Sequence, residues 1–470
     1  MIAEAGIARL RAWMMLGHLL FLGLFILALL HWRERVVHVD SALQIFKWVQ
    51  NGGVEVEAHR YTAVLPQLVV KLFRLMGAPL PMLLATASAM HVLVSWSIYA
   101  LAAHMLRVPW VAAAAAMAAV LCTRLTFYGI VLEANYLTSY PFLLAAVVAG
   151  PLVQGTRGSM ALAMAALLMV LLVHPLGFLV AGYVLLVLAL THPSVRIACV
   201  ALAGVALLWG IVGRSLLPPS GYESGLYDAA LKGWGDPASW SASPALDFLV
   251  RHSWRDTALY LPAWALLALT IVVLLGRRAW HLAIVVGAGS VGLVMLNIVT
   301  YQQGETAMMM EKNFLPLAAL IALPLMHEVA RRHPRTRVAA FLGFALVLFV
   351  QFRVISFASR PVGERYAAIE RLVHDQRELG VTKAIVPPDE LSRRGIGVTW
   401  ALPFETLLVS ALEGREQQVT AVSADHASGI ERTTGLYLMP WTMDLPLDRL
   451  DGRYFIPAEG PYRYLHQRDR

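Results

Sequence analysis

Charge is scarce in this chain. Of its 470 residues only 14% are Asp, Glu, Lys or Arg, while 58% are hydrophobic; a soluble domain carries about a quarter charged residues. That excludes an ordinary water-soluble globule, and a mean hydropathy of +0.63 reads as a polytopic membrane protein. Cysteine is scarcer still. Cys122 and Cys199 both fall in apolar runs, which excludes a disulfide framework and a thiolate metal site. The chain has no internal repeat, and its C-terminal region has neither a phosphate-cradling glycine loop nor metal-ligand spacing. A formal charge of +8 does not point to nucleic acid, because it is unevenly placed. Residues 356–470 hold 14 Lys and Arg against 16 Asp and Glu, and residues 1–355 hold 24 against 14. The excess sits in short loops, where it orients spans rather than binding a polymer.

What the chain has in abundance is long apolar runs. About twenty apolar residues cross the hydrocarbon of a bilayer. Runs near 13–31, 82–104, 109–125, 137–153, 159–174, 176–191, 196–213, 258–276, 280–299, 313–330 and 338–355 predict eleven transmembrane helices. The first has Arg9 and Arg11 before it and His31-Trp32-Arg33 after it, with no small-residue cleavage site. It is expected to be a retained signal anchor. Arg107, Arg157, Arg196, Arg277, Arg278 and the cluster Arg331, Arg332, Arg335 and Arg337 occupy turns nearly devoid of acid. The positive-inside rule then predicts a cytoplasmic N-terminus, and an odd number of spans puts residues 356–470 outside. The outer segments 32–80, 126–136, 214–257 and 300–312 are long and mixed in charge, so the chemistry is expected on that face. In 214–257, Trp234, Trp240 and Trp254 read as an interfacial aromatic belt or as a substrate-lining loop.

The first outer segment is the densest in signals. From Ala42 to Val49 apolar residues recur at helical spacing, which predicts a helix in the interface plane with Phe46 and Trp48 facing lipid. Asn51-Gly52-Gly53 ends it, since these residues tolerate positive φ. Residues 61–76 predict a second interfacial helix. Beyond Arg360-Pro361 the pattern changes to a helix from Glu364 to Leu379, a strand Ala384-Ile385-Val386 and a helix from Phe404 to Leu412. Further strands are expected at Gln418 to Val422, Leu436 to Met439 and Arg453 to Ile456. Such alternation predicts a small extracytoplasmic α/β domain over 356–470, separate from the membrane domain 1–355.

Four clusters on the outer side could carry chemistry, since charges parked near a membrane boundary default to function. Asp40 follows the first span; the bland alternative is a helix N-cap. Glu133 lies in an aromatic stretch with Tyr128, Asn135 and Tyr136. Glu305, Glu311 and Lys312 precede the tenth span, where the lysine could simply snorkel. Arg60 stands with His59 and Tyr61 between the two interfacial helices, suited to phosphate or to pairing Glu55 or Glu57. His174-Pro175 reads as a structural turn. Together the clusters suit group transfer from a lipid-linked phosphate. A carboxylate takes a proton from the acceptor hydroxyl, and cations or a metal offset charge on the departing phosphate.

This layout resembles the GT-C superfamily of integral-membrane glycosyltransferases, which use polyprenyl-phosphate-linked sugars: an acid and interfacial helices in the first outer loop, many spans, and a soluble C-terminal domain. The resemblance implies an inverting transfer to a hydroxyl of a lipid or glycan acceptor on the periplasmic face of a bacterial-type inner membrane. It implies Asp40 as the base, Glu133 as a second acid between spans three and four, and Arg60 and Lys312 as ligands of the donor phosphate. His59, Tyr61, Tyr128, Asn135, Tyr136, Glu305 and Glu311 would line the site. Many members carry a paired Asp/Glu in the first loop, whereas HVDSAL has a lone Asp. A divalent cation is therefore an open alternative to the basic residues. A lipid or solute transporter and a non-catalytic scaffold are the rival classes. A transporter would be expected to show paired repeats with broken helices at mid-membrane, and the sequence has none.

Overall fold

The protein is described here by a computed structural model covering all residues except 1, 333, 415–417, 428–434, 438–443, 458 and 466–470. It is mostly helical. The first half contains α1 (Ile2–Leu30), α2 (Trp32–Val36), α3 (Asp40–Gln50), α4 (Leu65–Leu75), α5 (Leu80–Ala100), α6 (Pro109–Ala118), α7 (Tyr140–Val147), α8 (Ser159–Leu171), α9 (Gly177–Thr191) and α10 (Arg196–Leu216). Then follow α11 (Gly221–Trp234), α12 (Pro244–Trp254), α13 (Leu261–Gly276), α14 (Trp280–Thr300), α15 (Ala307–Phe314), α16 (Pro316–Ala330) and α17 (Pro334–Phe357). The C-terminal region adds α18 (Ser359–Glu378), α19 (Pro388–Arg393) and α20 (Leu402–Glu413) with, among the described residues, five short strands.

Among the described residues six helical stretches are long and apolar enough to cross a membrane: Ala12–Leu30, Leu80–Met105, Pro193–Gly213, Trp280–Thr300, Ala307–Ala330 and Val338–Glu378. Four of the other expected spans are shorter apolar helices, α6, α8, α9 and α13. The stretch expected at 137–153 is α7 continued by a π-helical turn over Val148–Leu152 that contains Pro151. Local chemistry explains the shortening. Proline opens α6 and α7, and short 3-10 turns over Leu125–Tyr128 and Glu133–Thr138 use residues that would otherwise extend neighbouring helices.

The bundle is organised around α16. It packs on α6, α9, α13 and α14, and every residue from Pro316 to Glu328 is buried, so protein rather than lipid surrounds it. Pro316 breaks the Ala307–Ala330 stretch into α15 and α16 without removing needed hydrogen bonds, because it sits at the first helical position. α15 thus delivers Glu311 and Lys312 into the middle of one end of the bundle.

At that same end the C-terminal region docks on the first loop. β1 (Lys383–Val386) is the centre of a parallel sheet, paired with β2 (Thr420–Ser423) on one side and β5 (Arg463–Tyr464) on the other. β3 (Leu436–Tyr437) and β4 (Leu445–Pro446) form a separate antiparallel pair. The strand expected at Arg453 to Ile456 is turn and irregular backbone, and the third sheet position is filled instead by β5. Met439, expected to end the β3 strand, lies outside the described residues. Arg360-Pro361 does not interrupt the chain, because Pro361 falls in the first turn of α18, where a missing N–H costs nothing.

The α3 helix forms where its spacing predicts, but its apolar face does not meet lipid. Phe46 is 1% exposed and lies 5.1–5.5 Å, ring centre to ring centre, from Phe404, Tyr437 and Phe455. Trp48 is buried in the same core, which α3 shares with α4, the start of α5, α18 and α20. Burying a phenylalanine in this way stabilises by about 1.5–3 kcal/mol. The lipid-facing candidate is α4, whose Leu68, Leu72, Leu75 and Met76 are exposed while Lys71 and Arg74 turn inward. Lys71 donates to the carbonyls of Trp48 and Asn51, and Arg74 to that of Val49. Cations at the C-terminal end of α3 complement its dipole.

Candidate functional site

Four segments converge at the end of the bundle that carries the first loop, and buried polar contacts hold them there. Glu311 is 1% exposed. Its carboxylate accepts the backbone N–H groups of Arg124, Leu125 and Thr126 at 2.6, 3.0 and 2.9 Å, and the Thr126 hydroxyl at 2.7 Å. Asn135 donates to the carbonyls of Thr126 and Gly129, and the Tyr128 hydroxyl to that of Ile355. Glu311 and Asn135 are therefore spent on the backbone of 124–129, and Tyr128 ties that turn to α17. They shape the turn that presents Glu133 rather than facing a ligand.

Arg60 is the junction of the site. Its guanidinium pairs with Glu133 at 2.6 Å and with Glu223 of α11 at 3.1 Å, while its Nε is buried without a partner. Burial opposes the charge, but the two carboxylates more than offset it and hold the guanidinium above its usual range. Glu55 and Glu57, the partners weighed for it, are occupied elsewhere. Glu57 binds Lys47 at 2.5 Å, and Glu55 accepts from Asn51 while its backbone is bracketed by Gln67. Left-handed backbone at Ala58 and His59, with φ of 45° and 60°, turns the chain so that Arg60 points inward. His59 and Tyr61 stay exposed, 3.4 Å apart. Tyr136 is buried, stacked on Tyr140 at 5.2 Å, and borders a small cavity of mixed lining with Arg60, Glu133, Gln44 and Trp48.

Asp40 opens α3 as its first helical residue. The N-cap is Val39, and no side chain caps the helix, so the capping role does not describe Asp40. The half-buried carboxyl lies within electrostatic reach of Lys312, Glu133, Arg60 and Glu305. Burial first, and then Glu133 and Glu305, push its pKa up to about 6 against the opposing pull of Lys312 and Arg60. Val39 is strained: a β-branched residue at φ 40° and ψ −111°, a conformation that costs roughly 1–3 kcal/mol and persists only where its surroundings impose it. Glu305 is exposed and accepts a long 3.5 Å bond from the Tyr222 hydroxyl. Lys312 is half-buried beside Asp40, Glu133 and Glu305. Among the described residues no carboxylate comes within ion-pair distance of it.

A cleft of about 280 Å³ runs away from these groups. Arg60, His174, Glu223 and Lys312 form its polar end. Leu179, Leu226, Leu231, Trp234 and Leu296 are among its apolar walls. One wall is α11, started by a capping box in which Ser220 and Glu223 satisfy each other's backbone N–H. Gly233 lets α11 press onto α14, since a Cβ there would meet the Val299 carbonyl oxygen at 2.1 Å. His174 accepts the Leu176 N–H at Nδ1, which leaves the Nε2 proton for a ligand.

The structure thus brings together Asp40, Arg60, Glu133, Lys312 and Glu305, and it adds Glu223, Tyr222 and His174. Glu223 was missed in the sequence, although Ser220-x-x-Glu223 carries the capping-box spacing that marks a helix start and so an ordered segment. Trp234 belongs to the cleft; Trp254 is 65% exposed and does not line it. Among the described residues no three His, Cys, Asp or Glu side chains converge as metal ligands. The described residues therefore do not assemble a site for a divalent cation. In comparisons with protein-family models, curated proteins and solved structures, the chain matches none.

Proposed function

We propose that the protein is an inverting, GT-C-like glycosyltransferase that moves a sugar from a polyprenyl-phosphate donor to a hydroxyl of a lipid or glycan acceptor. The observation that carries the reading is the pairing of an apolar cleft with an ionic end at which, among the described residues, Lys312 has no ion-pair partner and Arg60 Nε no acceptor. A ligand matching both ends is amphiphilic and anionic. Lys312, Arg60 Nε and the His174 Nε2 proton supply donors to its phosphate, and the walls formed by α9, α11 and α14 take the first isoprene units. The fuller topology belongs to the same reading: eleven membrane segments in a bacterial-type inner membrane, N-terminus cytoplasmic, with Asp40 and the C-terminal domain on the periplasmic side.

In the reaction the Asp40 carboxylate accepts the proton of the acceptor hydroxyl as its oxygen attacks the anomeric carbon. The bond from that carbon to the phosphate oxygen breaks, and the polyprenyl phosphate leaves with the electron pair. One displacement inverts the anomeric centre. A carboxyl with a pKa near 6 is ionised at neutral pH and still a better proton acceptor than an ordinary aspartate. Charge gathering on the leaving phosphate falls to Lys312 and Arg60.

Binding of synthetic polyprenyl phosphate to the purified protein in nanodiscs tests the cleft. A charge-assisted bond contributes about 1.5–3 kcal/mol, so Lys312→Ala should weaken binding at least about tenfold. Unaltered binding in that variant would contradict the assignment. A deletion strain should accumulate the unused lipid-linked sugar, whose mass names the donor.

A further inference from the structure

The C-terminal domain reaches into the proposed site through one buried carboxylate. Glu405, in the first turn of α20, is 0% exposed. Its two oxygens accept from Arg365 of α18 at 3.0 and 2.7 Å, and Arg365 also donates to the Val398 carbonyl at 2.8 Å. Oε1 takes one further bond, from the backbone N–H of Val39 at 3.0 Å, between residues 366 positions apart in the chain. Val39 is the left-handed residue that immediately precedes Asp40. A buried ion pair inside the C-terminal domain would need only Arg365 and Glu405, yet this one spends a lone pair on the first loop.

The backbone around Val39 is otherwise committed. The Ser41 N–H donates to the His38 carbonyl at 2.8 Å and the Leu43 N–H to the Val39 carbonyl at 3.3 Å. His38 is itself held neutral by burial and by the neighbouring Arg365 charge. The Val39 N–H belongs to the group of helix-start donors that have no partner inside the helix. Without Glu405 it would be a buried orphan, and the strained φ of Val39 would lose the one hydrogen bond to it that, among the described residues, comes from outside the first loop.

We propose that Glu405, braced by Arg365, is a positioning residue for Asp40: by accepting the Val39 amide it holds Val39 in its left-handed conformation and so directs the Asp40 carboxylate toward Lys312 and Glu133. The catalytic part of this inference rests on Asp40 acting as the base. The C-terminal domain then completes the site: the first loop takes its working shape only against Glu405.

The test uses the full-length protein in nanodiscs and two readouts. Hydrogen exchange of the peptide covering residues 36–46 reports the geometry independently of any reaction. Glu405→Ala should speed exchange there while the rest of the bundle keeps its protection, and Glu405→Gln, which retains an acceptor oxygen, should restore most of it. Unchanged protection in Glu405→Ala overturns the proposal. In transfer assays Glu405→Ala should lower kcat roughly 10²-fold, the scale of a 1 Å misplacement, with donor KM within about twofold. In an Asp40→Asn background it should add almost nothing, because effects that act through one group do not multiply. A kcat per folded molecule that stays at the wild-type value, or a loss that multiplies with Asp40→Asn, overturns the positioning role. If the wild-type protein turns over no lipid-phosphate sugar, the functional reading fails while the exchange data still decide whether Glu405 holds Val39. Should Glu405→Ala not fold, Arg365→Gln, which loosens Glu405 without removing it, gives the same exchange comparison.

Discussion

Arg60→Met removes the cation that Glu133 and Glu223 share while keeping an apolar stem of similar length. The two pairs lie at 2.6 and 3.1 Å, and the three side chains are only 17%, 15% and 8% exposed. Removing one partner of a buried pair costs about 3–5 kcal/mol, because a desolvated charge is left behind. The residual water contact of Arg60 and Glu133 places the expected loss at the lower end, about 3 kcal/mol. Here two carboxylates are orphaned together, and one of them also caps α11, so the damage should extend to the wall of the cleft. Thermal unfolding of the detergent-solubilised protein, run as a double-mutant cycle with Glu223→Gln, isolates the pairwise contribution. A coupling of about 1–3 kcal/mol is expected for groups in direct contact, and adding Glu133→Gln should recover part of the lost stability. Wild-type unfolding of Arg60→Met with a coupling near zero would refute the reasoning. Arg60 would then be an ordinary surface arginine, and α11 would be held over the cleft by something else.

Glu311→Gln should destabilise the protein by about 3 kcal/mol, because an amide NH₂ replaces one of the oxygens that accept four donors and each charge-assisted bond contributes about 1.5–3 kcal/mol. Thermal unfolding checks this, and a variant as stable as wild type would show that Glu311 does not hold the 124–126 turn. Transfer should also depend on pH through Asp40. The base works only when ionised and its pKa is about 6, so the rate should fall as pH drops through 6 and level off above it. An acid limb centred near 4, the range of a solvated aspartate, would show that the burial of Asp40 does not tune its chemistry.

Much of the scaffold could be read from residue spacing, and the reasons for the failures are physical. Helix positions in the membrane half follow from apolar runs, but their lengths do not. A run such as 137–153 looks uniformly apolar, yet Pro151 and the neighbouring 3-10 turn decide where regular helix stops. The helical periodicity around Phe46 and Trp48 predicted α3 and then assigned its face wrongly. Lipid tails and a protein core are both apolar, so periodicity cannot tell them apart, and only the docked C-terminal domain shows which one is there. Asp40, Arg60, Glu133 and Lys312 were legible singly, as charges at the edge of apolar runs. That Arg60 would choose Glu133 and Glu223 over Glu55 and Glu57, much nearer in sequence, depends on long-range packing that local spacing does not encode. Glu405 drew no attention in the sequence, although it is the lone acid among residues 402–410, all of which are buried.

In the proposed reaction Asp40 is the proton acceptor, beside the Lys312 and Arg60 that form the polar end of the cleft. Asp40→Asn preserves shape and hydrogen bonding and deletes only that capacity. With folded protein quantified and polyprenyl-phosphate binding measured in the same preparation, the account predicts transfer lower by about 10²–10⁴-fold and donor binding within about twofold of wild type. Full transfer activity in Asp40→Asn would contradict it.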